Sequence, residues 1–269
     1  MNTTKTIDRL IETIVEDCKP EKIFLISHFE REENFSHPIQ QIENTTKRVA
    51  RYDVLILSNA DRDYEALSAF VETRTSILGK VTALVYPMDS FNQLLAFGHP
   101  FPKSLLDQDC LIYDAGNIDF EPAGSIDLES HPYTGKRDYM RAMANAEEFL
   151  AACNLHIVRK WNEIAAFNLH QAAAQLYMAC LLKATGLKFI SDDITRLQRY
   201  SYWYAPEMGE ILGCSQDTQT HLGQQLQKAF LHARYNPDYE IADPVLQILL
   251  AEVRKLFDLA IRLIKTPSI

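Results

Sequence analysis

The stretch from Trp161 to Gly186, WNEIAAFNLHQAAAQLYMACLLKATG, limits what this chain can fold into more than any other. Ile164, Phe167, Leu169, His170, Ala173, Ala174, Leu176, Tyr177, Cys180, Leu181 and Ala184 recur at three- and four-residue steps. That period predicts a helix with one wide buried face. Gly186 stands where helices commonly close on a left-handed residue. Ala172, Ala173, Ala174 and Ala179 let a neighbouring backbone come close. His170, Gln171 and Gln175 are polar groups inside an apolar run, and each must be satisfied or put to use.

The flanking sequence supplies the neighbours such a helix needs. Helical periodicity runs over Arg137–His156, and Ser191 or Asp192 is placed to cap a helix through ITRLQRYSYWY. Asp217 or Thr218 does the same for Gln219–Arg234. ARYNPDYEIADP is a connection whose Asp243-Pro244 suits N-cap and first helical position. A closing helix then buries Val245, Leu249, Val253, Leu256, Phe257 and Ile261. The expectation for 136–269 is an all-α bundle of about five helices.

The first half alternates instead. An opening helix carries Ile7, Leu10, Ile11, Ile14 and Val15 on one face. Short apolar runs follow at KIFLIS (Lys22–Ser27), YDVLILS (Tyr52–Ser58), VTALVYP (Val81–Pro87) and CLIYDAG (Cys110–Gly116), each the length of a strand. Between them are a helix over Arg62–Leu78 capped by Asp61, a short helix over Ser90–Phe97, and a turn at GHPFP. The polar segment 29–50 shows no period and reads as a long loop. This predicts an α/β domain over 1–118, joined to the bundle by a Gly-, Pro-, Ser- and Asp-rich linker at 119–135.

The order of the first half resembles the minimal nucleotidyltransferase fold. That family ends its first strand in a Gly-Ser turn for the nucleotide phosphates. Its second and third strands carry carboxylates for two metal ions that clamp the attacking and leaving oxygens. In this chain the corresponding positions are Ser27-His28, with no glycine nearby, and Arg51-Tyr52-Asp53, with one acid of two. VTALVYP has no acid at all. The resemblance therefore implies a degenerate domain with no metal site and no cofactor. His28, His37 and His99 have no spacing that would make them a metal set.

FNLHQAAAQLYMACLLKATG and LQKAFLHARYNPDYEI, with the closing amphipathic helix, look like the HEPN domain family, and the likeness covers nearly all of the second half. It implies an up-and-down bundle that forms homodimers and serves in defence or toxin–antitoxin systems, as RNase, as nucleotide or RNA binder, or as inactive partner. The RNase members place a histidine four to six residues after an arginine, because cleavage needs an acid/base and a cation at one phosphate. Here Arg234 is followed by Tyr-Asn-Pro-Asp-Tyr-Glu-Ile and no histidine. The expectation is a non-catalytic interaction protein. Candidate nucleotide- or RNA-binding residues are Arg234, Asn236, His170 and Gln171. Tyr200, Tyr202, Trp203 and Tyr204 lie near Arg196 and Arg199 as candidate base-stacking groups. The alternative is a nucleotidyltransferase or ribonuclease with a displaced site.

Charge narrows where nucleic acid can sit. Residues 1–135 carry 12 Lys and Arg against 22 Asp and Glu, whereas 136–269 carry 15 against 14. The acidic half repels a phosphate backbone; the neutral half can hold a local basic patch. Five scattered cysteines without a CxxC pair fit a reducing, cytoplasmic compartment. No apolar run suits a signal peptide or a membrane span.

Overall fold

The computed structural model describes residues 3–37, 42–59, 62–124, 135–213 and 220–266; for 3, 4, 31–37, 42–48, 220 and 221 it describes the backbone alone. The chain divides into two compact units, Met1–Gly98 with Pro102–Gly124, and His99–Phe101 with Ser125–Ile269.

The first unit is built on a four-stranded mixed sheet of order β3-β2-β1-β4. Its strands are β1 (Lys22–His37), β2 (Ile42–Ser58), β3 (Lys80–Pro87) and β4 (Leu111–Asp114). β1 is antiparallel to both β2 and β4, and β2 is parallel to β3. Helices α1 (Thr3–Cys18), α2 (Tyr64–Thr75), α3 (Met88–Ala96) and α4 (Pro100–Asp107) complete the set. Leu10, Ile14 and Cys18 of α1 and Leu67 and Val71 of α2 pack with Ile23, Tyr52, Val54, Ile56, Val81 and Ala83. Neighbouring strand residues face the other way, where Phe24, Phe91 and Phe120 meet ring to ring at 5.5–6.0 Å.

Four sequence expectations change here. The segment 29–50 is no loop among its described residues: β1 and β2 continue through it as a hairpin, with partners running from Phe29↔Arg51 to Phe35↔Thr45. A two-stranded ribbon satisfies its own backbone and need not bury a face, so it carries no hydrophobic period. The expected GHPFP turn gives way to α4, which begins at Pro100, a residue type suited to a helix start. Asp61 lies outside the described residues, and the helix cap is Asp63, whose carboxylate accepts from the amides of Glu65 and Ala66. Asp119–Gly124, expected within the linker, is fastened to α3: Asn92 donates to Asp119 O and accepts from Glu121 N, and Gly124 N donates to Leu95 O.

β3 is the outer strand beside β2, and an open strand edge invites further pairing. α2 closes part of this one. Glu72 accepts from Ala83 N at 3.1 Å, and Ser68 Oγ accepts from Val85 N at 2.9 Å.

The second unit comprises α5 (Lys136–Val158), α6 (Asn162–Thr185), α7 (Ile194–Ser201), α8 (Pro206–Glu210), α9 (Thr220–His232) and α10 (Asp243–Lys265). α6 is the hub, packed against α5, α7, α9 and α10. Sixteen of its 24 residues are buried, so the single wide face expected from the sequence is in fact most of its circumference. Gly186 does close it, at φ 71°. Lys183 donates to the carbonyls of Leu263, at 2.8 Å, and Thr266, placing a cation at the negative end of α10. Asp193 caps α7, one residue past the expected Ser191 or Asp192, and Ala242 takes the cap position before α10. Asp217 and Thr218 lie outside the described residues. Among those residues no helix is long and apolar enough to cross a membrane.

Ser68→Ala is expected to lower stability by about 1–3 kcal/mol, because it leaves the buried amide of Val85 without an acceptor. Thr73→Ala on the exposed side of α2 should change it little. Urea denaturation of both variants checks this.

Candidate functional site

On β2, successive residues face opposite ways, and this sorts the three positions expected to mark the degenerate nucleotidyltransferase site. Ser27 and Asp53 pair in register after a bulge between Leu25 and Ser27. Ser27 Oγ donates to one Asp53 oxygen at 2.5 Å, and Arg51 Nε donates to the other at 3.1 Å. Asp53 is only 2% exposed. Its charge is thus held by a hydroxyl and a guanidinium, a charge-assisted arrangement that occupies both oxygens. His28 pairs with Tyr52, and its ring stacks on the Tyr52 ring at 5.8 Å, so it belongs to the other face.

The neighbouring position on β3 is Thr82, in register with Asp53 and fully buried. Its hydroxyl has no hydrogen-bond partner. A buried orphan hydroxyl is costly, and the sequence pointed to this position only by its lack of an acid. Among the described residues no group of three or more His, Cys, Asp or Glu is placed to hold a metal ion; the side chain of His37 is not among them. The donor set around Asp53, one acid with Ser, Arg and Thr, does not suit a pair of divalent metals.

In the second unit, His170 on α6 is fully buried. Its Nε2 lies 3.0 Å from the Asp192 carbonyl and its Nδ1 lies 3.1 Å from Gln171 Nε2. A carbonyl can only accept and the Gln171 amide nitrogen can only donate, which assigns a neutral ring with its proton on Nε2. The ring stacks on Phe230 of α9 with centroids 4.5 Å apart. Burial pulls its pKa down to about 4, against the opposing pull of the Asp192 carbonyl and the Gln227 side chain. A neutral, enclosed imidazole of this kind ties helices together.

Phe230 continues the stack outward. It lies parallel to Phe167 at 6.2 Å, and the Arg234 guanidinium sits over Phe167, Phe230 and Tyr235 at 4.8–5.0 Å. Arg234 also donates to Phe230 O at 3.4 Å and makes no ion pair with a carboxylate, Asp238 included, among the described residues. Arg234 and Asn236 are exposed, as is Tyr235 at 77%. Asn236 Oδ1 accepts from Asp238 N at 3.0 Å and so fixes the turn. The expected set of His170, Gln171, Arg234 and Asn236 therefore splits. His170 and Gln171 form the buried end of an aromatic stack, Arg234 and Tyr235 its exposed end, and Asn236 shapes the loop.

Phe167 was legible in the sequence only as a core residue, and Phe230 was not singled out. Of the other aromatic candidates only Tyr204 is exposed, at 37%: Tyr200 is buried, Trp203 meets it edge-on at 5.2 Å, and Tyr202 lies against Gly209. Cys18, Cys110, Cys153 and Cys180 are free thiols. Burial pushes Cys18 up to about 11 and Cys153 and Cys180 up to about 12, far from the thiolate form a nucleophile needs. No protein-family model matches this chain, and no curated protein matches it.

The depressed pKa of His170 makes stability depend on pH. The unfolded chain takes up this proton below its ordinary pKa of 6.5, and the folded chain does not until about 4. Stability from this group is therefore complete above 6.5 and declines as pH falls towards 4, by on the order of 3 kcal/mol. Urea unfolding from pH 7 to pH 4, compared with His170→Gln, should show a shallower decline in the variant.

Proposed function

We propose that this chain is a non-catalytic interaction protein, a degenerate nucleotidyltransferase-like domain carried on a HEPN-like bundle that pairs with a second copy. The observation that carries this reading is the closure of Asp53. Its two oxygens are engaged by Ser27 and Arg51, and its neighbour on β3 is a threonine. Transfer of a nucleotidyl group by two-metal chemistry needs several open carboxylates at one place. This arrangement offers one that is occupied.

The bundle supports binding rather than cleavage. Arg234 has a guanidinium free of carboxylates, beside an exposed Tyr235. That pair suits a phosphate contact and base stacking in nucleotide or RNA. His170 is enclosed and neutral, which keeps it from serving as a general acid/base. Four free thiols among the described residues accord with work in the cytoplasm.

Calorimetry with ATP, with and without Mg²⁺, should show no Mg²⁺-dependent tight binding. Such binding, abolished by Asp53→Ala, would overturn the reading of the first unit. Purified protein should leave RNA intact while retaining it on a filter, and Arg234→Ala should weaken retention and reduce the salt slope by about 1. RNA cutting that Arg234→Ala stops would make the chain a nuclease. Light scattering should give twice the chain mass at micromolar concentration.

A further inference from the structure

The outer side of α5 carries an exposed apolar stripe. Ala146 and Cys153 mark the side of this helix that is buried, where it packs on α6. At about 100° for each residue, the opposite side is drawn by Met140, Ala144, Ala151, Leu155 and Val158. All five are exposed, Leu155 at 48% and Val158 at 81%. Single apolar residues at a surface are ordinary. Residues that recur at three-, four- and seven-residue steps on one helix form a continuous band, and such bands mark contact surfaces.

Two charged residues beside the band select what covers it. Glu148 and Arg159 are exposed on the same flank, and neither side chain has an ion pair or hydrogen bond among the described residues. They lie about 16 Å apart along the helix axis, too far to meet each other. A second α5 laid antiparallel brings such charges together twice. Glu148 of one protomer then lies opposite the partner's Arg159, and Arg159 opposite the partner's Glu148. The same register sets Leu155 against the partner's Ala151 and Ala151 against the partner's Leu155, a large side chain onto a small one each time. Reciprocal contacts of this kind are what two-fold symmetry requires. A parallel pair would put like charge on like charge at both positions, which opposes association.

We infer that α5 is the surface through which two copies of this chain pair, as an antiparallel helix pair. Its register is set by Leu155 on the partner's Ala151 and by Glu148 on the partner's Arg159. This rests on the pairing proposed above and names its face. Burial of the apolar band supplies the attraction. The alanines let the two axes come close, and Val158 continues the seam beside each charge pair. The charges fix direction and register more than they add strength.

Sedimentation equilibrium on the full chain at micromolar concentration tests this, with a dimer expected for the unaltered protein. Leu155→Asp should weaken pairing by roughly tenfold or more, because it buries a charge without a partner. Glu148→Arg and Arg159→Glu should each weaken it roughly tenfold by setting like charges opposite. The two reversals combined restore opposite signs and should bring pairing back to within about threefold of the original. All three positions are exposed, so an unaltered circular dichroism spectrum will show the variants folded. A dimer indifferent to all three changes, or reversals whose combination restores nothing, overturns the assignment of α5 and leaves the pairing itself standing. A monomeric unaltered chain overturns both.

Discussion

Ala172, Ala173, Ala174 and Ala179 set the terms on which the second unit holds together. Small side chains let several helices approach α6, and close approach from many sides buries nearly everything on it. Interiors of this kind are packed as densely as organic crystals, so a polar group caught inside has to find its partners at once. His170 finds the Asp192 carbonyl and Gln171, Tyr177 finds the carbonyls of Met208 and Ile211, and Lys183 finds the end of α10. These bonds fix which helix lies where. The imidazole is one of the polar ties made necessary by a hub with no solvent face.

The first unit depends in the same way on the two-residue period of β2. Tyr52 and Asp53 are neighbours in sequence and are assigned to opposite layers. One layer holds the aspartate, closed by Ser27 and Arg51, with Thr82 beside it. The other holds Tyr52, Glu30 and a cleft beside α1. A single strand thus separates a sealed polar spot from an open one, and the two chemistries do not mix.

Much of this was visible in the residues. The α/β and all-α halves follow from apolar runs of strand length in one and three- and four-residue steps in the other. The closing of α6 at Gly186 was legible because only the backbone of glycine takes that turn freely. The hairpin arm was not, since strands that pair mainly with each other need no apolar alternation. Capping residues were displaced by one or two positions at Asp63, Asp193 and Ala242, because several neighbouring residues have equivalent chemistry. At the candidate sites, Asp53 and Arg234 could be named from sequence. What they touch could not, for Ser27 lies 26 residues from Asp53, and α7, α8 and α9 separate Phe167 from Arg234 along the chain.

The clamp made by Lys183 also has a consequence in time. It joins α6 to carbonyls 80 residues further along the chain. During synthesis at 5–20 residues per second, α6 therefore waits roughly 4–16 s for the helix that covers it. At the start of that interval the most apolar segment of the protein has only α5 to lean on, and α7 and α9 reach it before α10 does. A nascent chain of this design is at its most vulnerable late, and whatever shelters α6 on the ribosome governs how much of the protein reaches its folded form.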